Sequence, residues 1–352
     1  MAGLYIHIPF CRSRCIYCGF YSTTALSWRQ RYVDALCREM ELRSPATELS
    51  PGRQRIETVY LGGGTPSQLS MSELRQLFLY INKVYEDEPV EVTMECNPDD
   101  VTGQFAEELR LLPVNRISMG AQTFNDERLH FLRRRHTAAQ VRQAVSRLCD
   151  AGIRNISIDL MYGFPGETLD DWQHDIDAAL SLGVEHISAY CLTIEEGTPL
   201  WRLKIKDERL EMPDEETERR MYDTLVDRLT AAGYEHYEIS NFARPGYRSR
   251  HNSSYWHDIP YIGIGAAAHS YNGYSRSWNA SDLRLYMEAV ERGERPYEEE
   301  LLDDDTRYND RITTALRTND GLDLSALSDK YRRYCLAEAR RLLDGGLLTL
   351  DG

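Results

Sequence analysis

Tyr5-Ile6-His7-Ile8-Pro9-Phe10-Cys11-Arg12-Ser13-Arg14-Cys15-Ile16-Tyr17-Cys18 carries three thiols in one short loop, directly behind an apolar, β-branched run. The spacing, Cys-x3-Cys-x2-Cys, lets three thiolates converge, and thiolates are the preferred ligands of iron–sulfur clusters. Structural zinc normally takes four ligands, usually as two pairs. This chain has no second pair: Cys37 falls in a predicted helix, and Cys96, Cys149, Cys191 and Cys335 are scattered. The pattern predicts a 4Fe–4S cluster on Cys11, Cys15 and Cys18, with its fourth iron open to a substrate. Zinc with His7 as the fourth ligand is the competing reading.

Outward from this loop, β-branched runs alternate with amphipathic stretches. Strands are expected over 4–9, 58–61, 91–96, 116–120, 155–161 and 186–194, and helices over 28–43, 70–84, 102–112, 138–151 and 169–182. Six successive β–α units imply parallel strands joined by right-handed crossovers. A closed eight-fold barrel would need about two more units, and 234–239 is the one further candidate. The expected fold is α/β, a partial (β/α)6 barrel over 1–233. A helix over 213–232 leads to a smaller, mostly helical C-terminal domain over 234–352. That domain begins aromatic and turn-rich, passes an acidic stretch at 298–305 read as a solvated linker, and ends in helices over 307–317, 324–334 and 336–343.

In a parallel barrel, binding residues gather where strands end and loops begin. Gly62-Gly63-Gly64-Thr65-Pro66 follows the second strand, where glycines let backbone approach a ligand or simply turn tightly. It lacks the Lys-Ser/Thr of a phosphate-binding loop. Glu95 closes the third strand, Gln122 follows the fourth and Asp159 lies within the fifth. Each alone is as readily a cap or a satisfied core group; three in register on successive strands favour a shared ligand. Arg133-Arg134-Arg135 reads by default as a solvated helix end. His251-Asn252-Ser253-Ser254-Tyr255-Trp256, expected as a loop of the C-terminal domain, sets an imidazole beside flat rings, which suits porphyrin iron and is also common packing. His7, His257 and His269 compete with it as an iron ligand. Gly263-x-Gly265-x-x-Ala268 lacks a complete βαβ unit and reads as a close-packed turn rather than a dinucleotide site.

With 352 residues, 42% of them hydrophobic, the chain can bury a substantial core. Its 41 Lys and Arg against 56 Asp and Glu give a net charge of −15, which repels nucleic-acid phosphates and anionic lipid. No apolar run is long enough for a membrane span, and the N-terminus lacks the pattern of a secretory signal. Eight cysteines, three of them clustered, fit a reducing cytoplasm and one metal site rather than a disulfide framework. The expected partner is a small molecule or another protein.

The Tyr5-x-His7-Ile8-Pro9-Phe10-Cys11-x3-Cys15-x-Tyr17-Cys18 string resembles the radical SAM superfamily, in its coproporphyrinogen-dehydrogenase-like branch. So do the glycine segment at 62–66, Glu95-Cys96-Asn97-Pro98, Gly120-x-Gln122-Thr123-Phe124 and Asp159-Leu160-x-x-Gly163-x-Pro165. His251-Asn252-x-x-Tyr255-Trp256 is similar to a motif of that branch's haem chaperone (HemW) subgroup, and the likeness runs from Leu4 to about Leu348. The resemblance implies that the open iron chelates S-adenosylmethionine (SAM), whose reductive cleavage yields a 5′-deoxyadenosyl radical. It implies that Tyr5 and Tyr17 belong to the cofactor-binding string, that Gly63, Gly64 and Thr65 meet the methionine amino group, and that Glu95 contacts SAM. Gln122, Arg134 and Asp159 would line the same cavity or a second SAM site, and His251 would take haem. The implied function is a haem chaperone in porphyrin metabolism, with a reducing electron donor and a haem-accepting protein as partners. Oxidative decarboxylation of coproporphyrinogen III, or radical modification of haem, is the enzymatic alternative. Against decarboxylation stand Phe20, where authentic coproporphyrinogen dehydrogenases carry a fourth cysteine, and the ten residues before Cys11, too few for their substrate arm. The ending at Gly352 is shorter than the subgroup's usual one.

Overall fold

Alternation along β1 (Ala2–Ile8) sets the two faces of the sheet. Leu4, Ile6 and Ile8 are fully buried on one side, while Tyr5 and His7 occupy the other. The computed structural model describes residues 2–44, 55–85, 88–206 and 210–351. In chain order β1 is followed by α1 (Arg29–Leu42), β2 (Ile56–Gly63), α2 (Met71–Tyr85), β3 (Glu91–Cys96), α3 (Gly103–Leu109) and β4 (Arg116–Gln122). Next come α4 (Asp126–Phe131), α5 (Ala138–Asp150), β5 (Asn155–Tyr162), α6 (Leu169–Ser181), β6 (His186–Cys191), α7 (Pro199–Lys206) and α8 (Glu215–Ala231).

The six strands are parallel and hydrogen-bonded in sequence order, β1 to β6. Both faces are buried, which explains their near-continuous apolar reading. Capping boxes at Thr137 and Thr168 start α5 and α6 where periodicity places them. The six-residue α4 and the eight-residue α7 were not anticipated; two turns are too short to show a helical period. Side chains from β2 through β6 line a single cavity. In a flat sheet those strands would lie about 19 Å apart, at ~4.8 Å per step, so the strip is curled. β1 and β6 are not hydrogen-bonded neighbours, and the barrel is partial, as expected.

Beyond Ala231 the chain returns to both edges of this sheet. β7 (Glu235–Glu238) and β8 (Asn241–Ala243) extend it beyond β6, with β8 antiparallel to β6, so 234–239 is not a seventh β–α unit. After α9 (Arg250–Trp256), β9 (Tyr261–Ile264) runs parallel to β1, and β10 (His269–Tyr271) and β11 (Ser275–Asn279) follow antiparallel. α10 (Leu283–Glu291) packs on α1, and β12 (Tyr297–Leu301) forms the far edge. Strands from both sides of residue 234 therefore share one sheet. The acidic stretch at 298–305 is not a linker: Glu298, Glu299 and Glu300 are exposed in β12, where charge discourages edge-to-edge pairing. α11 (Asp304–Ala315) and α12 (Asp329–Asp344) complete the chain, and α12 is continuous where two helices were expected.

A buried carboxylate ties this extension to the barrel. Glu39 of α1, with no exposed surface, accepts hydrogen bonds from Gly265 N–H at 2.8 Å, Asn279 Nδ2 at 2.8 Å and Tyr286 Oη at 2.6 Å, and lies 3.2 Å from Arg43. Gly265, at φ 109°, must be glycine, because a Cβ would lie 2.5 Å from Tyr32 Oη. The close-packed turn expected at 263–268 is what the structure contains. Removing one partner of a buried ion pair typically costs about 3–5 kcal/mol. Glu39→Ala is therefore expected to lower the unfolding free energy by about that amount in chemical denaturation, whereas Glu41→Ala on the exposed side of α1 should change it by less than about 1 kcal/mol.

Candidate functional site

The ends of β1 and β2 approach closely enough to fix the cysteine loop. Gly64 N–H donates to Ile8 O at 2.9 Å, and a Cβ on Gly64 would lie 2.6 Å from the Pro9 carbonyl carbon. A Cβ on Gly63, at φ 105°, would strike the His7 ring at 2.4 Å. The glycines here make room first for neighbouring protein. Thr65 then meets the loop, its Oγ1 3.4 Å from Cys11 Sγ.

Cys11, Cys15 and Cys18 rim a cavity of about 530 Å³ without closing on one point. Arg134 leans over them, donating from Nη1 to Cys15 Sγ at 3.5 Å and from Nη2 to Asn97 Oδ1 at 2.8 Å and Gly120 O at 2.7 Å. Gly120 is small for this reason: a Cβ would lie 3.1 Å from Arg134 Nη2. Burial raises the pKa of the Cys11 and Cys18 thiols, and the Arg134 charge pulls that of Cys11 back down. Bound iron would deprotonate them outright. His7, the fourth ligand of the zinc reading, has both ring nitrogens engaged, Nδ1 with Tyr5 Oη and Nε2 with Tyr21 O, each at 3.0 Å. An extended cluster fits this donor set better than one zinc ion.

The expected strand-end residues meet in the same cavity. Tyr17, Gly63, Gly64, Thr65, Glu95, Gln122, Arg134 and Asp159 all line it, and Phe20, 71% exposed, stands at its mouth. Glu95 accepts from Tyr60 Oη at 2.7 Å and Gly63 N–H at 3.2 Å. Burial pushes its carboxyl up to about 7, with the Tyr60 hydrogen bond opposing. Burial likewise raises Asp159 to about 6, against hydrogen bonds from Ser188 and Ser118 and the charge of Arg116. Tyr5 lies outside the cavity lining, stacked on Tyr60 at 6.2 Å.

Arg116 went unnoticed in the sequence. It is 1% exposed and, among the described residues, its Nε and Nη1 have no partner, yet it lines the cavity beside Glu95 and Asp159. A cation two, four and six residues before Ser118, Gly120 and Gln122 on one strand face was the available signal.

The 251–256 segment is not a loop but helix α9, capped by the Ser249 side chain. His251 is 1% exposed and both its nitrogens are used: Nδ1 with Thr58 Oγ1 at 2.8 Å and Nε2 with Tyr255 Oη at 2.9 Å. Its ring stacks on Tyr60 at 5.1 Å, and burial lowers it to about 3. In this conformation it packs the barrel floor and offers no free nitrogen to iron. Its neighbour Asn252 does line the cavity.

Residues 5–179 match the radical SAM superfamily. A haem chaperone HemW of Bacillus subtilis is 36% identical over 336 residues, 95% of this chain and 88% of its own length. The chain belongs to the HemW family of radical SAM proteins. A haem chaperone HemW of Mycobacterium tuberculosis is 34% identical over 356 residues, covering 99% of this chain and 89% of that one. The solved structure of coproporphyrinogen III oxidase (HemN) from Escherichia coli superposes with a TM-score of 0.84 over 99% of this chain and 85% of that one, at 23% identity, and so shares the fold. Family membership implies a 4Fe–4S cluster and SAM. Among the described residues no helix is long and apolar enough to cross a membrane.

The Glu95 carboxyl sets a pH dependence. Its raised folded value means that burying the charge costs stability fully above pH 7, and that this cost fades as pH falls toward the unfolded value near 4.5. Glu95→Gln keeps an acceptor and removes the charge. The variant should gain stability over the parent at pH 8, and the gain should shrink between pH 7 and pH 5, read from urea midpoints of cluster-free protein. A gain independent of pH would contradict the assignment.

Proposed function

We propose that this chain is a haem chaperone that binds haem on a radical SAM scaffold and passes it to an acceptor protein. The observation that carries this reading is similarity to haem chaperones over nearly the whole of both chains. Cys11, Cys15 and Cys18 would hold the cluster, and Arg134 beside Cys15 would offset its negative charge. Ionised Glu95, oriented by Tyr60 and Gly63 N–H, would accept the ammonium group of SAM next to the backbone at Gly63, Gly64 and Thr65. Gln122, Asp159 and Tyr17 would close the polar wall around the rest of the molecule. The cluster would supply one-electron chemistry to bound SAM. A reducing electron donor and a haem-accepting protein complete the scheme. All eight cysteines are unpaired, which accords with a reducing compartment, taken here as the cytoplasm.

Phe20 supports this reading over coproporphyrinogen decarboxylation, because a benzyl group stands at the cavity mouth where those enzymes carry a further thiol. Haem added stepwise to anaerobic, cluster-loaded protein should saturate near one equivalent per chain. Weak, non-saturating binding together with carbon dioxide release from coproporphyrinogen III would overturn the proposal. Separately, Ala at Cys11, Cys15 or Cys18 should each abolish the brown chromophore and bring bound iron close to zero. A variant that keeps full iron would remove that cysteine from the ligand set.

A further inference from the structure

A haem-iron ligand needs an imidazole nitrogen that is neither hydrogen-bonded nor shut away from solvent. Most of the chain's nine histidines fail this test. His7 and His251 have both nitrogens engaged, as described above. His257 uses Nδ1 on Ser253 O at 2.7 Å and Nε2 on Asp320 at 3.1 Å. His136 and His186 are buried, and His236 stacks on Phe242 with Nε2 3.3 Å from Ile239 O. His130 and His174 are exposed on α4 and α6, but no aromatic ring packs on either among the described residues.

His269 differs from all of these. It is exposed at the start of β10, and among the described residues neither ring nitrogen is hydrogen-bonded. It pairs across the sheet with Trp278 of β11, and the two rings stack at 5.9 Å and 28°. Tyr261 and Tyr271 continue the aromatic surface, 6.2 Å apart. Arg276, two residues along β11 from Trp278, adds a cation suited to a propionate, and it already pairs with Asp310. The backbone behind His269 is fixed. Gly263 leaves room for the His269 carbonyl, which a Cβ would meet at 1.9 Å, and Ser270 Oγ accepts from Gly263 N–H at 2.9 Å. Partial desolvation and the Arg276 charge lower the His269 pKa, which favours the neutral ring that can ligate iron.

We infer that His269, backed by Trp278, is the axial ligand of bound haem, and that His251 serves the barrel floor. The inference rests on the haem-chaperone reading. It places the iron at β10 and β11 rather than at α9.

Ferric haem titrated into cluster-loaded full-length protein, followed by absorbance, tests it. The parent should saturate near one haem per chain. His269→Ala should bind at least about tenfold more weakly with a displaced Soret band, while keeping its cluster absorbance and SAM affinity. His269→Met should recover binding with a spectrum distinct from the parent's, because a thioether ligates iron differently from an imidazole; a merely structural role would not produce a ligand-specific spectrum. If the parent saturates and His269→Ala retains its affinity and spectrum, the assignment to His269 is overturned and the chaperone reading stands. If the parent itself shows no saturable binding, both fall together.

Discussion

Two strand ends brought within backbone contact hold the site in place. Where β1 meets β2, Gly63 and Gly64 carry no side chain, and the space is filled by the His7 ring and the Pro9 backbone. A larger residue at either position would separate the strands. The hydrogen bond from Gly64 to Ile8 would be lost, and the contact of Thr65 with Cys11 with it. The cysteine loop has little regular structure of its own, so its geometry is borrowed from this contact and from Arg134, which reaches it from the turn after α4. His7 secures the far side of the loop through the Tyr21 carbonyl.

Around that anchor the inner face of the barrel is polar, and much of its character comes from burying charge. Glu95 and Asp159 are both pushed up by desolvation, and Arg116 opposes the shift in each. Among the described residues, the guanidinium of Arg116 keeps two donors without partners at the cavity wall. Such groups are costly in a sealed core and are tolerated where a ligand or water satisfies them. The outer face is conventional by comparison: Leu4, Ile6, Ile8 and their counterparts pack against the helices. The division between a polar interior and an apolar exterior follows from strand alternation alone.

Much of this was legible in the sequence. The six parallel strands announce themselves through β-branched runs with amphipathic stretches between them, and Cys11, Cys15 and Cys18 through their spacing. Glu95, Gln122 and Asp159 were found by their place at strand ends. What stayed hidden has a common physical cause. β8, β9 and β10 have three or four residues each, too few to show a period, and β9 pairs with a strand over 200 positions away, as Gly3 with Tyr261. β12 consists largely of glutamates, which read as solvated chain because the strand is exposed throughout. His251 resembled a loop residue because α9 has only seven residues, and its burial depends on Thr58 and Tyr60 from a distant strand. Arg116 hid at the start of β4, where its cavity-facing neighbours Ser118, Gly120 and Gln122 alternate with buried apolar residues.

The proposed function requires a cluster on Cys11, Cys15 and Cys18 that leaves one iron for SAM. The most direct measurement is electron paramagnetic resonance of the reconstituted, reduced protein before and after SAM is added. A reduced 4Fe–4S signal whose g-values shift on addition of SAM, with the shift lost in Glu95→Ala, is the predicted result. A cluster signal that SAM leaves unchanged, or protein that reconstitutes with no paramagnetic cluster at all, would contradict it.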